Sequence, residues 1–354
     1  MQFYPLRLIR KIPNTSLAHD FYFEIPKEYR HLFHYKPGQY LTFRFVVDGK
    51  EYRRSYSFMT SPYTDEMPGV TVKRIGDGKI SNYVNEHAAV GDIWEALPPM
   101  GNFVIEPQSD RTATYVMIGA GSGITPLMSM IKSILHVELK SQIWLLYGNR
   151  HESHILFHSI LDRLEREHPQ RFQVIHSLSR PSEQWTGRRG RLSREAIRSI
   201  LLEGIPYGSA FGFYLCGPAG LIQEAEIALA GLGVDPQKIH KEFFSAPASI
   251  EEPTVPTTSE ASFEVSEVTI WLDDEQHHIQ VRADEYILDA ALDSGIEPPY
   301  ACRMGICTTC RARLLEGQVH MDEDEGLSSQ DIENGFILTC QAKPLTSVVR
   351  IKYE

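Results

Sequence analysis

Cysteine is scarce in this sequence, with five among 354 residues. The count is odd and small, and no apolar leader follows the first basic residues. That predicts no secretory signal and no disulfide framework, and it points to a reducing, cytoplasmic setting. Long apolar runs are lacking too. The stretch Ile-Trp-Leu-Leu-Tyr at 143–147 is typical of those present, far short of the roughly 18 residues of a membrane span. There is no basic excess to suit a nucleic acid, since 35 Lys and Arg stand against 46 Asp and Glu. No internal repeat and no long low-complexity tract is found, which excludes a solenoid.

What is present is core-forming material: 42% hydrophobic and 10% aromatic residues. The length predicts two or three domains. Charge is unevenly shared among them. Residues 1–262 hold 28 basic and 28 acidic residues, whereas 263–354 hold 7 and 18, which is the whole net charge of −11. The last quarter therefore reads as a separate domain. Its acidic face is either a solubilising surface or a dock for a basic partner.

Four of the five cysteines fall in that quarter. Cys302, Cys307 and Cys310 are spaced C-x4-C-x2-C, and Cys340 follows after 29 intervening residues. A zinc ribbon offers two separated C-x2-C pairs. Three thiols from one tight loop and a lone fourth is instead the plant-type [2Fe–2S] spacing. Gly305 lets the loop curl, and successive amides of such a loop point at negative sulfur. The run Cys302-Arg-Met-Gly305-Ile-Cys307-Thr-Thr-Cys310 closely resembles the plant-type ferredoxin signature C-R-x-G-x-C-x-x-C. The resemblance covers about 90 residues, 263–354. It implies an α+β (β-grasp) ferredoxin domain with these four cysteines as iron ligands. Strands at 268–272 and 276–281, a helix capped by Asp284 and a strand at 336–340 fit it. His277 and His278 read as strand residues without a metal role.

Upstream, residues 246–262 are rich in Pro, Ser, Thr and Glu and read as a tether. Residues 111–245 alternate strand and helix signals, as a parallel α/β sheet does. Strands are expected at 114–118, 142–147, 172–177 and 211–216. The first runs into Gly119-Ala-Gly121-Ser-Gly123-Ile-Thr125-Pro126, with Thr125 as N-cap and Pro126 opening the helix. A strand, a Gly-rich turn and a helix offer a helix N-terminus to phosphate. Residues 1–110 read as short strands broken by Pro and Gly, a small antiparallel barrel, with one helix from Ser81 to about His87.

Five short segments of these two units, in order, resemble the ferredoxin–NADP⁺ reductase superfamily. They are Arg54-Ser55-Tyr56-Ser57, Gly78-Lys79-Ile80-Ser81, the loop from Gly119 to Pro126, Cys216-Gly217-Pro218 and Glu242-Phe243-Phe244. With a C-terminal ferredoxin, the module order resembles the reductase components of multicomponent oxygenases, the phenylacetyl-CoA epoxidase and ketosteroid hydroxylase reductases in particular. The departure is Ser179-Arg180-Pro181, where those relatives tend to carry an acidic residue after the Arg.

The resemblance implies three domains, at 1–110 (FAD), 111–245 (NAD(P)) and 263–354 ([2Fe–2S]), joined by the tether. FAD binding falls to Arg54, Ser55, Tyr56, Ser57, Gly78, Lys79, Ile80 and Ser81, and Lys73 is a cofactor-binding candidate assigned to neither cofactor in particular. In this reading Tyr56 stacks on the flavin, Ser57 bonds its N5, and Arg54 and Ser81 hold its diphosphate. NADPH or NADH falls to Gly119, Gly121, Gly123, Thr125, Cys216, Gly217 and Pro218. Ser179 and Arg180, with Arg188 or Arg189, await a 2′-phosphate. Phe243 or Phe244 covers the flavin. Ser57 and Cys216 are the catalytic candidates. The expected activity is electron transfer from NAD(P)H through FAD and [2Fe–2S] to a partner protein, foremost an oxygenase component. The alternatives are a general reductase of a ferredoxin, haem or hybrid-cluster protein, or a redox sensor.

Overall fold

The computed structural model describes residues 2–76, 78–245 and 264–353. The expected tether at 246–262 lies outside the described residues. The chain divides into two compact units, one spanning Phe3–Phe244 and one beginning at Ser245.

The first unit opens with β1 (Tyr4–Thr15), β2 (Ala18–Glu24), β3 (Tyr40–Val47), β4 (Lys50–Ser57), β5 (Gly69–Lys73), α1 (Lys79–His87) and β6 (Ile93–Ala96). They form an antiparallel sheet in the order β4-β3-β6-β1-β2-β5. It curls shut where Phe58 bridges Val70. Alternation does the sorting. Leu41, Phe43, Phe45 and Val47 of β3 point into the core, where the Phe21, Phe23 and Phe43 rings lie 5.1–5.2 Å from Trp94. Ile80 and Val84 of α1 complete that core. The helix begins two residues before the expected Ser81, with Gly78 as its N-cap.

The same unit continues with β7 (Thr114–Ala120), α2 (Ile124–Val137), β8 (Gln142–Asn149), α3 (His158–Glu167), β9 (Phe172–Leu178), β10 (Arg188–Arg189), α4 (Arg194–Leu202), β11 (Gly212–Pro218), α5 (Ala219–Ala230) and β12 (Ile239–Ser245). The sheet order is β10-β9-β8-β7-β11-β12, parallel from β10 through β11. Strands buried on both faces need near-continuous apolar runs, which β7 and β11 supply. Succession runs outward from β7 through β8 and β9, then returns to β7's other side with β11. The crevice at such a reversal, beyond the strands' carboxyl ends, is where ligands bind.

A buried polar seam joins barrel and parallel sheet. Ser129 donates to the Thr60 carbonyl at 2.6 Å, and the Ser61 and Ser133 hydroxyls share a 2.8 Å bond. At its edge Lys132 pairs with Asp65 at 3.1 Å. Buried polar groups paired in this way fix one register between the two layers.

The C-terminal unit holds β13 (Val265–Leu272), β14 (Glu275–Arg282), α6 (Ile287–Asp293), β15 (Arg311–Glu316), β16 (Val319–Met321), α7 (Ser329–Glu333), β17 (Phe336–Leu338), β18 (Ala342–Pro344) and β19 (Val348–Tyr353). A five-stranded mixed sheet, β14-β13-β19-β15-β17, packs against α6 through Ile287, Ala290 and Ala291. Asp284 does not cap α6. Its carboxylate lies 3.5 Å from Arg282, and Tyr286 takes the cap position. No helix among the described residues is long and apolar enough to cross a membrane.

Candidate redox site and cluster loop

The barrel's edge strand β4 carries the first group. Antiparallel pairing sets Tyr52 opposite Phe45, Arg54 opposite Phe43 and Tyr56 opposite Leu41, so these three share one face. Arg54 is exposed and is fixed by a 2.7 Å bond from Nη1 to the Arg53 carbonyl. Tyr56 is half-buried against the barrel core, and burial holds its hydroxyl well above the usual tyrosine range. Ser55 faces the other way and bonds Thr42 at 2.9 Å. At α1, a Cβ on Gly78 would collide with Ile75 and the Ser81 hydroxyl. Ser81 is buried, and its hydroxyl donates back to the Gly78 carbonyl at 3.2 Å, so that group is already engaged. Ile80 is a core residue, and Lys79 pairs with Asp48 at 3.0 Å.

Ser57 ends β4 with its hydroxyl donating to Glu242 Oε2 at 3.5 Å. Glu242 stands on β12. Burial pushes its carboxyl up to about 8, while the Ser57 bond pulls the other way. The Cys216 thiol is fully buried on β11 and is raised well above its usual value by burial and by Glu242. Ser57 of the barrel's edge strand thus touches Glu242 of β12, and the Glu242 charge acts on Cys216 of the neighbouring β11. The motif Glu242-Phe243-Phe244 held the carboxylate in view, but nothing local marked its link to Ser57. Phe243 is 3% exposed, whereas Phe244 is half-buried and on Glu242's face of the strand.

The Gly-rich turn is built by close approach. A Cβ on Gly123 would overlap the Cys216 carbonyl, and one on Gly119 would press the Leu127 side chain. Gly217 has φ +154° beside Ala120, and Gly121 has φ +56°. The helix starts earlier than expected, at Ile124 with Gly123 as cap. Thr125 is therefore inside it, 2% exposed, with its hydroxyl donated to the Ser122 carbonyl at 2.9 Å. Pro218 is the N-cap of α5.

Cations gather at this edge. A Cβ on Gly121 would lie 3.8 Å from Lys73 Nζ. Burial, then the nearby Arg150 charge, hold the Lys73 ammonium below its usual range. Arg180 is exposed at the end of β9, next to half-buried Ser179, whose N–H donates to the Asn149 carbonyl at 3.0 Å. Arg188 and Arg189 are otherwise occupied. Arg188 pairs with Glu203, and Arg189 holds the carbonyls of Ser182, Glu183 and Trp185 at 2.9–3.0 Å. Each of the two thus already has a partner in the fold, Arg188 in an ion pair exposed on both sides.

In the C-terminal unit the four thiols come as two pairs. Cys302 is held down to about 6 by the Cys307 thiol and by N–H groups of Met304, Ile306 and Cys307, while Cys307 is raised. Cys340 is lowered by Cys310 and by the Gly305 N–H, while Cys310 is raised. The Met304 N–H reaches Cys302 Sγ at 3.3 Å, and the Cys302 N–H reaches Cys307 Sγ at 3.4 Å. Left-handed backbone at Arg303, Gly305 and Thr308 turns these amides inward. Two thiol pairs wrapped in amide donors fit a two-iron cluster. Residues 322–326 cover the loop: the Gly326 N–H bonds the Gly305 carbonyl at 2.8 Å, and a Cβ on Gly305 would press Glu323.

Comparison with known proteins agrees domain by domain. The oxidoreductase FAD-binding domain matches residues 6–105, the oxidoreductase NAD-binding domain 117–226, and the 2Fe-2S iron-sulfur cluster binding domain 270–345. One subunit of the 1,2-phenylacetyl-CoA epoxidase of Escherichia coli is 35% identical over 99% of this chain and 98% of its own. The ferredoxin reductase component of the Rhodococcus rhodochrous 3-ketosteroid-9-alpha-monooxygenase is 33% identical over 97% and 94%. In fold, phthalate dioxygenase reductase superposes with a TM-score of 0.59 at 20% identity, covering 99% of this chain and 98% of its own. The three domains in this order make the chain an NAD(P)H-dependent electron-transfer oxidoreductase, and it belongs to the family of ferredoxin reductase components of multicomponent oxygenases.

Proposed function

We propose that this chain draws electrons from NAD(P)H and delivers them to an oxygenase component. The observation that carries the reading is the contact of Ser57, at the end of the barrel's edge strand, with Glu242 on β12, the strand that lies beside β11 and its Cys216. When bound, FAD supplies the exchange between a two-electron hydride and the single electrons that a [2Fe–2S] cluster takes.

Within that site, Tyr56 gives the isoalloxazine a flat face and Ser57 a hydroxyl. Glu242 keeps a proton at neutral pH one bond from Ser57. Cys216 shapes the nicotinamide's approach and does not attack, because its thiol stays protonated. Phe244 covers the other flavin face, since it shares Glu242's side of β12. Arg54 and the start of α1 bind the flavin diphosphate, with Gly78, Lys79, Ile80 and Ser81 shaping that turn. Gly119, Gly121 and Gly123, with Thr125 inside the helix and Lys73 above the turn, receive the nucleotide pyrophosphate, and Gly217 and Pro218 line the nicotinamide end. Ser179 and Arg180 bind a 2′-phosphate, which favours NADPH over NADH. Cys302, Cys307, Cys310 and Cys340 ligate the cluster.

Domain limits at 1–110, 111–245 and 263–354 belong to the same proposal, as does a cytoplasmic location, where thiolate ligands stay reduced. Cytochrome c serves as the test acceptor. NADPH-driven reduction of cytochrome c is expected to need the cluster, so Cys307→Ser abolishes it. Ferricyanide reduction by that variant continues from the flavin. Unchanged cytochrome c reduction by Cys307→Ser would show that electrons leave from the flavin, against the proposal.

A further inference from the structure

Strand β4 continues beyond the residues that the flavin reading uses. Tyr52, Arg54 and Tyr56 share the face that pairs with Phe45, Phe43 and Leu41. At about 3.4 Å per residue this row is roughly 14 Å long. Its Tyr56 end adjoins Ser57, whose hydroxyl meets Glu242. Arg54 is the middle, and Tyr52 is the end away from the redox groups. The Tyr52 ring is half-buried. The Arg54 guanidinium lies 5.8 Å from its centroid and the Lys79 ammonium, from the first residue of α1, 5.4 Å. Tyr52 also bonds Lys79 and helps to hold it protonated, second to Asp48. The Lys79–Asp48 pair is exposed on both sides, and such a pair is readily exchanged for another anion.

We propose that Tyr52 is the platform for the adenylate half of the flavin, and that this makes the site select FAD over FMN. The inference rests on the FAD reading above and deepens it. A flavin whose ring lies on Tyr56 and whose first phosphate meets Arg54 has only one direction left along the strand. FMN ends at that phosphate. FAD continues with a second phosphate and a purine nucleoside. The second phosphate falls between Arg54 and Lys79, and the purine finds an aromatic face two residues further along. An adenine on an aromatic face is worth a substantial share of affinity, and a neighbouring cation adds to it.

The test is flavin titration of the full chain after removal of its bound flavin, followed by quenching of flavin fluorescence with FAD, FMN and riboflavin. Tyr52→Ala is expected to weaken FAD by roughly ten- to a hundredfold and to leave FMN and riboflavin unchanged. Tyr52→Phe, which keeps the ring, is expected to hold FAD within a few-fold of the parent protein. Equal weakening of FAD and FMN by Tyr52→Ala would make Tyr52 a packing residue of the barrel and overturn the inference. So would a Tyr52→Phe defect as large as that of Tyr52→Ala, or no FAD effect at all. Failure of the unmodified chain to bind any flavin would instead overturn the FAD reading itself, and the inference with it.

Discussion

The Ser57 hydroxyl lies 3.5 Å from the Glu242 carboxylate, although 185 residues separate them in the chain. The first ends the barrel's edge strand and the second stands on the strand beside β11. Their contact joins the expected flavin strand to the expected nicotinamide crevice. The first expectation concerns its proton. Burial pushes the Glu242 carboxyl up to about 8. Flavin reduction by NAD(P)H, followed by stopped flow, should show a titration near that pH. Glu242→Gln, fixed in the neutral form, should remove it. A profile that Glu242→Gln leaves intact would exclude Glu242 as the titrating group.

The same carboxyl bears on stability. Its folded pKa lies above the ordinary value of 4.5, so the folded chain holds the proton more tightly than the unfolded chain does. That contribution is complete below about pH 4.5 and is lost as pH rises through 8. Melting temperatures of the parent chain and Glu242→Gln should therefore diverge toward alkaline pH, with the parent falling faster. Parallel curves would contradict the assignment.

Nucleotide choice is expected to depend on Arg180, which stands exposed beside Ser179 at the end of β9. Arg180→Ala should raise the KM for NADPH about ten- to a hundredfold, the loss of a charge-assisted bond of roughly 1.5–3 kcal/mol. The KM for NADH should barely move. Equal changes for both nucleotides would remove Arg180 from 2′-phosphate recognition.

The cluster loop depends on one residue's conformation. Gly305 sits at φ +73°, and an added Cβ would lie 2.8 Å from Glu323. Gly305→Ala should lower iron and sulfide content and bleach the cluster's visible bands, while flavin content is unchanged. Full cluster occupancy in Gly305→Ala would show that the loop tolerates the side chain.

Partner docking should follow charge. The last 92 residues carry the net charge of −11. The second-order rate of reduction of a basic acceptor such as cytochrome c should fall steeply as ionic strength rises, since screening shortens to about 10 Å at 0.1 M salt. A salt-independent rate would place docking elsewhere.

Much of this was legible in the sequence where chemistry is local. Four cysteines at fixed spacing specify their loop whatever the rest of the chain does. Alternation in β3 and apolar continuity in β7 reveal a barrel strand and a buried parallel strand. The helix starts differ from the sequence expectation, because Gly78 and Gly123 cap by backbone position ahead of Ser81, the expected first residue of α1, and Thr125, the expected cap of α2, while Tyr286 takes the place expected of Asp284. Arg188 and Arg189 looked like free cations because their partners, Glu203 and three loop carbonyls, are set by the fold. The pairing of Ser57 with Glu242 is a tertiary fact, and no pattern in either segment announces it.

The most direct test of the central claim is an anaerobic titration of the intact, cluster-loaded protein with NADPH and with NADH, followed in the visible spectrum. Bleaching of both flavin and iron–sulfur bands, with NADPH the more effective donor, is the predicted result. Flavin and cluster bands that stay unchanged with either nucleotide would contradict the account.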